Sequence, residues 1–319
     1  MFKRFVNVIK NSHILMSVIR WIDSDAYPEE TKMQKGGRVD WFRVMPLIGV
    51  HLMCLGPIIW GWSWVAVNTA IALYLIRIFA ITAFYHRYFS HRAFKTNRVF
   101  QFIFAAMGAS AMQRGPLWWA ALHRHHHRYS DKPEDFHSPS RQGFLWAHIG
   151  WFTAHDLFKT RYEYVRDWEK YPELKWLNRF DALTPVILAI VLYISGKIME
   201  VYAPALGTSG PQMVVWGFFI SSVAVLHATF CINSLDHMLG SKRYDTGDTS
   251  RNNWILAIFL LGEGWHNNHH HYAISTRNGF FWWEIDITYY LLYLLSLFGI
   301  VKDLRPVPEN VLNSNRIDM

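Results

Sequence analysis

Residues 66–91, AVNTAIALYLIRIFAITAFYHRYFSH, decide the fold. The first 20 of these, 66–85, are almost unbroken apolar sequence with a single charge at Arg77. That length suits a helix crossing the roughly 30 Å hydrocarbon core of a bilayer. The run then passes directly into His86-Arg-Tyr-Phe-Ser-His91, so a membrane-spanning helix delivers two imidazoles to one bilayer surface. A guanidinium is too costly to leave against lipid, so Arg77 is expected to face the protein interior or to snorkel.

Working outward, three further segments are long and apolar enough to span: 46–65, 182–201 and 212–232. A short turn at Trp62-Ser63-Trp64 separates the first two spans, and Pro204, Gly207, Gly210 and Pro211 punctuate the last two. The expected fold is all-α: four transmembrane helices with a cytoplasmic helical cap. Residues 99–111 and 285–301 read as interfacial or partly buried helices. The division is an N-terminal cytoplasmic or interfacial segment (1–45), a membrane domain (46–301) and a C-terminal tail (302–319). Lys32, Lys35, Arg38 and Arg43, the basic 86–181 segment and the basic tail place both termini in the cytoplasm. No cleavable signal peptide is expected, because the first 25 residues lack a continuous apolar core. Their alternation of Phe5, Ile9, Val18 and Ile22 with Lys3, Arg4, Lys10 and Arg20 suits a helix lying on headgroups or packed on the protein.

Composition agrees with a membrane protein that has a large polar part. Hydrophobic residues make up 51% and aromatics 17%, with 16 Trp, yet the mean hydropathy is only +0.04. The net charge of +8 is matched to anionic lipid headgroups rather than to nucleic acid. Cys54 and Cys231 both sit in apolar segments, which argues for packing roles and against a disulfide.

Of 17 histidines, 15 lie between His86 and His271, most of them in three clusters on the same expected side of the membrane. The second cluster is His123-Arg-His-His-His127 and the third His266-Asn-Asn-His-His-His271. A lone histidine is usually a core residue, and a histidine-rich tract can bind metal adventitiously, but neither explains a repeated H-x-x-H-H. That spacing occurs as His123, His126, His127 and again as His266, His269, His270. On a helix, adjacent residues point about 100° apart, so neighbouring imidazoles serve two ions better than one. His125 and His271 fall off the pattern. Imidazole suits Zn, Cu, Fe and Ni. There is no H-E-x-x-H and no thiolate in ligand spacing, and the glycines around the Glu-x-x-His string Glu263-Gly-Trp-His266 argue against the helical arrangement of a carboxylate-bridged pair. An all-nitrogen iron pair remains as the best fit.

At this point the chain resembles the membrane fatty acyl desaturase family. HRYFSH, HRHHH and HNNHHH look like its three histidine boxes, supported by QRGPLWW, DFHSPSRQGFLWAHIGW and GEGWHNNHH around them. The subfamily resembled is the delta-9 type, acting on acyl-CoA or on acyl chains of lipids. In it a further ligand lies in an N-S-x-x-H string, here Asn233-Ser-Leu-Asp-His237. The resemblance implies nine iron ligands: His86, His91, His123, His126, His127, His237, His266, His269 and His270. It also implies that Asn233 holds one iron through a water. One departure is Ala121-Leu122, where animal acyl-CoA members carry an Arg-Asp pair associated with the CoA end. Bacterial and cyanobacterial acyl-lipid relatives look at least as similar, which points to a bacterial inner membrane.

The resemblance implies that O2 and two electrons are used to form a cis double bond nine carbons from the carboxyl end. Trp118, Trp119 and Trp146 are candidates to line an apolar substrate tunnel, although Trp is enriched at membrane interfaces anyway. Glu263 and Asp236 either orient imidazoles or make ordinary hydrogen bonds. The electrons are expected from a separate ferredoxin, rubredoxin or cytochrome b5-type donor. Two rival readings are a fatty acyl hydroxylase or decarboxylating alkene-forming enzyme, and a non-catalytic membrane metal-binding protein.

Overall fold

The computed structural model describes residues 13–26 and 39–317. In chain order the main helices are α1 (His13–Ile22), α2 (Val44–Trp60), α3 (Trp64–Ser90), α4 (Arg98–Ala109), α5 (Pro116–Tyr129), α6 (Leu183–Tyr202), α7 (Gly210–His237), α8 (His266–His271) and α9 (Ile287–Leu297). A small antiparallel ladder pairs β1 (Lys95–Thr96) with β2 (Val301–Lys302) and ties the chain after His91 to the end of α9.

Among the described residues three helices, α3, α6 and α7, are long and apolar enough to cross a membrane. α3 and α7 extend beyond the expected 66–85 and 212–232, so that both carry histidines at their C-terminal ends. The expected span 46–65 differs more. Its helix, α2, covers 17 residues, about 25 Å at 1.5 Å per residue. It has Pro46 inside it and a tightened turn at Met53–Leu55, and it ends at Gly61 with φ +67°. α4 and α9, with 12 and 11 residues, are too short to cross, as expected for 99–111 and 285–301.

The N-terminal ends of α3 and α7 are held together. Gln212 Nε2 donates to the Trp60 carbonyl (2.8 Å), Trp216 Nε1 to the Gly61 carbonyl (3.1 Å) and the Thr208 hydroxyl to Ser63 Oγ (2.9 Å). Two helices that begin side by side and pack together run parallel, so His86 and His237 emerge at the same end. α6 returns antiparallel to α7 through a close crossing: a Cβ on Gly196 would sit 2.6 Å from the Ser209 carbonyl oxygen, which only glycine tolerates. The outer face of α6, including Ile187, Ile190, Val191, Ile194 and Ile198, is about half exposed, as a lipid-facing helix must be.

Arg77 is buried inside the bundle, donating to Ser222 Oγ (2.7 Å), Ser221 Oγ and the Leu73 carbonyl (3.1 Å). This is the interior placement expected for it. The core surrounds the C-terminal half of α3, where Phe84 stacks on Phe104 of α4 at 3.7 Å and Tyr85 and Phe89 pack beneath α5. Of the N-terminal segment, residues 1–12 and 27–38 lie outside the described residues. α1 docks on the protein: Trp21 stacks on Phe42 at 5.1 Å, and Ser24 Oγ donates to Asp181 at 3.0 Å.

Candidate metal centre

α3 and α7 project His86 and His237 from their C-terminal ends, α5 carries the second histidine cluster, and α8 the third. The last part of α3, Ala80–Ser90, is wound as a π-helix, a form that recurs at functional sites. On an α-helix, residues five apart lie about 140° apart around the axis. The i→i+5 winding returns them to one face, and the His86 and His91 rings sit 4.9 Å apart.

The imidazoles converge in two groups. His86, His91, His123, His127 and His269 form one; His126, His237, His266 and His270 form the other. In the first, Nε2 atoms lie 2.9 Å apart for His86–His269, 2.9 Å for His269–His127, 3.0 Å for His127–His123 and 2.8 Å for His123–His91. In the second, His266 and His237 Nε2 are 3.1 Å apart. His125 and His271 belong to neither. His125 bonds Tyr164 and the Glu134 carbonyl, and His271 stacks on Tyr244 and bonds the Val311 carbonyl.

Several rings are oriented from behind by acceptors. Glu263 Oε2 lies 2.6 Å from His86 Nδ1, Asp248 Oδ2 2.6 Å from His270 Nδ1, and Asp135 Oδ2 3.1 Å from His126 Nδ1. Thr249 Oγ1 is 3.2 Å from His237 Nδ1. A carboxylate only accepts, and the Thr249 hydroxyl already donates to Asp131 Oδ2 (2.7 Å), so these rings carry their proton on Nδ1 and present the Nε2 lone pair inward. His270 Nε2 is then a buried nitrogen with no hydrogen-bond partner, and a bound cation would satisfy it. The donor set fits a metal pair.

Asp135 and Asp248 were not singled out from sequence. Asp135 lies nine residues beyond His126 in a loop, and Asp248 lies in a turn 22 residues before His270, so no helical spacing marks them. Burial would raise both carboxyls, but His126 beside Asp135 and His270 beside Asp248 hold them well below the usual range. For Glu263, burial is likewise outweighed by His86 and Arg87, and its carboxyl is held low. Asp236 differs from expectation. It is fully buried, yet among the described residues neither carboxylate oxygen has a hydrogen-bond partner, so it orients none of these imidazoles. The tight turn Leu235–His237 spends its backbone carbonyl on Arg251 N (2.7 Å) instead.

α8 has only six residues, too few to be stable alone. Its two asparagines pin it. Asn267 Oδ1 accepts from Arg243 N and Tyr244 N, both at 2.8 Å. Asn268 Nδ2 donates to Glu284 Oε2 (2.8 Å) and to the Asn278 carbonyl (3.1 Å), and its Oδ1 accepts from Asn252 Nδ2 (2.8 Å). Asn268→Ala strands these buried groups and is expected to destabilise the protein by about 2–3 kcal/mol, read as a lowered Tm in detergent.

Burial, reinforced by neighbouring imidazoles, holds His91, His123, His127, His266 and His269 well below the ordinary value of 6.5. His126 is raised, because Asp135 outweighs burial. For the five lowered groups the unfolded chain binds protons first. Their stability contribution is whole above about pH 6.5 and falls with acidification, by up to about 1.4 kcal/mol per pH unit for each histidine. Metal-free protein is therefore expected to unfold more easily at pH 5.5 than at pH 7.5 in denaturant titrations.

Trp118, Trp119 and Asn233 line a partly open cavity that also touches His123, Phe152 and Phe230. Trp119 stacks on His123 at 5.0 Å. Trp146 is not among the lining residues: its ring covers Gly150 and its Nε1 donates to the Phe136 carbonyl at 3.0 Å.

Comparison with known proteins agrees with this architecture. A family model described as "Fatty acid desaturase" matches residues 62–294. The chain is 36% identical over 277 residues to Acyl-CoA 5-desaturase AL21 of Anemone leveillei, covering 85% of this chain and 81% of that protein. It is 34% identical over 271 residues to sn-1 stearoyl-lipid 9-desaturase of Anabaena variabilis, with 84% and 94% covered. It is 35% identical over 272 residues to the chloroplastic palmitoyl-monogalactosyldiacylglycerol delta-7 desaturase of Arabidopsis thaliana, with 84% and 69% covered. A family match over most of the chain, around histidines gathered at the common end of parallel membrane-length helices, leaves one conclusion: this protein is a member of the fatty acid desaturase family.

Proposed function

We propose that the chain inserts a cis double bond into a saturated long-chain fatty acyl group, using O2 and two electrons at a pair of iron ions. The observation that carries this reading is the convergence of nine imidazoles into groups of five and four. Five imidazoles in the first group are one more than a tetrahedral site uses, which supports iron over tetrahedral zinc. One iron is assigned to His86, His91, His123, His127 and His269. The other is assigned to His126, His237, His266 and His270, with Asn233 completing the set through a water.

Bound iron would supply the oxidising chemistry needed to break an unactivated C–H bond. The chain's own residues do the rest. Glu263, Asp248 and Asp135 hold the rings in the tautomer that faces inward, while Trp118, Trp119 and Phe230 wall the acyl chain and exclude water. The position at which this wall would hold the acyl chain is what would separate an alkene product from an alcohol.

The relatives' names place double bonds at positions 5, 7 and 9, and the delta-9 position is retained here as the proposal. Ala121 and Leu122 are buried and offer no charge to a CoA, so acyl-CoA and acyl-lipid are the two arms of the test. Four spans (46–65, 66–85, 182–201, 212–232) lie within a 46–301 domain, with a cytoplasmic cap and both termini in the cytoplasm of a bacterial cell. A ferredoxin, rubredoxin or cytochrome b5-type protein supplies the electrons. Product analysis by mass spectrometry after incubation with saturated acyl-CoA or saturated phospholipid tests the reading. An internal alkene and two irons per chain are expected; a hydroxylated or shortened product, or one metal per chain, overturns it.

A further inference from the structure

α5 ends at Tyr129, and after Ser130 the chain turns at Asp131 with φ +59°. Glycine usually fills such a left-handed position at a helix end, so a side chain kept there is kept at a conformational cost. The Asp131 carboxylate is fully used. Its Oδ2 accepts from both the backbone N–H (2.6 Å) and the hydroxyl (2.7 Å) of Thr249. Its Oδ1 accepts from the Ser138 hydroxyl and from Ser140 Oγ at 3.1 Å. The Asp131 N–H donates to Asp135 Oδ2 at 2.9 Å.

Each of these contacts leads to a ring of the group His126, His237, His266 and His270. Asp135 is the carboxylate behind His126. The Thr249 hydroxyl proton is committed to Asp131, so its oxygen is free to accept from His237 Nδ1 at 3.2 Å. Thr249 belongs to the loop 246–250, where Asp248, itself held by Thr246 Oγ1 (2.6 Å) and Ser250 N (3.0 Å), backs His270. One residue therefore fastens the loop behind His126 to the loop behind His237 and His270. Among the described residues no hydrogen bond of Asp131 or Thr249 reaches a histidine of the group of five, where Glu263 backs His86 instead. Asp131 Oδ2 is 3.9 Å from His237 Nδ1, beyond hydrogen-bond reach, so it acts through Thr249 and not on the ring.

We propose that Asp131 is a positioning residue for the iron of the four-histidine group alone. It locks Thr249 as an acceptor and holds the two loops in register, so that His126, His237 and His270 all present Nε2 inward. An imidazole that loses its acceptor can turn or move its proton to Nε2, where it no longer ligates. The inference rests on the assignment of one iron to each group under the proposed function.

The test loads full-length protein with iron, challenges it with a chelator, and follows iron per chain together with the Mössbauer spectrum. Wild type is expected to hold two irons. Asp131→Gly, which suits the positive φ, and Thr249→Val should each hold one iron about 10–100-fold more weakly, as for loss of a group that orients a ligand. One spectral component should disappear while the other is unchanged. Thr249→Ser restores the hydroxyl and should restore both components. Two irons held as tightly as in wild type by Asp131→Gly and Thr249→Val overturns the proposal. So does loss of both irons together, as general unfolding would cause, or a Thr249→Ser protein as weak as Thr249→Val. If Asp131→Gly does not fold, Asp131→Asn carries the comparison: asparagine tolerates the same turn but offers one accepting oxygen where two are used, so the same single iron should weaken. Wild-type protein with one iron overturns the two-iron reading itself, whereas wild type with two irons and unchanged variants overturns only the role of Asp131.

Discussion

His127→Ala is expected to abolish turnover and to deplete the protein of iron. His127 Nε2 sits between those of His123 (3.0 Å) and His269 (2.9 Å), so it joins the second histidine cluster to the third within the group of five. Removing a side chain that merely orients a ligand costs about 10–100-fold in affinity or activity, and removing a ligand should cost at least the upper figure. Elemental analysis and product formation should fall together. His125→Ala and His271→Ala provide the contrast, because these rings belong to neither group and bond Tyr164 and the Val311 carbonyl instead. Their iron content should remain that of the wild type. Iron lost equally from all three variants would sink the assignment of His127, and full activity in His127→Ala would sink the two-group centre itself.

The second large effect is expected for Glu263→Ala. Glu263 does two things at once: Oε2 lies 2.6 Å from His86 Nδ1, and Oε1 accepts from Arg87 Nη2 at 2.9 Å. Arg87 is 1% exposed, and its remaining carboxylate partner is Asp286 at 3.0 Å. Truncating Glu263 leaves a buried guanidinium half compensated, which costs about 3–5 kcal/mol. That is a large share of the 5–15 kcal/mol by which folded proteins are typically stable. Glu263→Gln keeps the shape and one acceptor, so it should lose less stability while still loosening the His86 ring. Thermal unfolding in detergent should rank wild type above Glu263→Gln above Glu263→Ala. Equal melting temperatures for all three would show that Arg87 does not depend on this carboxylate. The sign with pH follows from its depressed pKa: its contribution is whole above the ordinary carboxylate range and is lost only as pH falls through the lower folded value.

Much of the site was legible because its chemistry is local. H-x-x-H-H places i and i+4 on one face and the intervening i+3 about 100° away from its neighbour. His123 and His127 accordingly fall in one group and His126 in the other, while His266 and His270 part from His269 in the same way. The backing carboxylates were less legible. Glu263 sits next to a histidine cluster, whereas Asp135 and Asp248 reach their rings from loops whose path depends on packing. Asp236 shows the opposite failure: adjacency to His237 suggested a partner, but the turn at Leu235–His237 gives it none.

Sequence by itself located the three membrane-length helices and the residue types that can bind metal, since hydrophobic length and ligand chemistry are properties of short stretches. It could not set the break in α2, where Pro46 and the Met53–Leu55 turn interrupt an apolar run that hydropathy alone reads as continuous. Nor could it set the π-winding that returns His86 and His91, five residues apart, to one face. Which box supplies which group was likewise decided in three dimensions. The parallel course of α3 and α7 and the asparagine-pinned seat of α8 fix how the rings meet, and those contacts join residues that no local spacing relates.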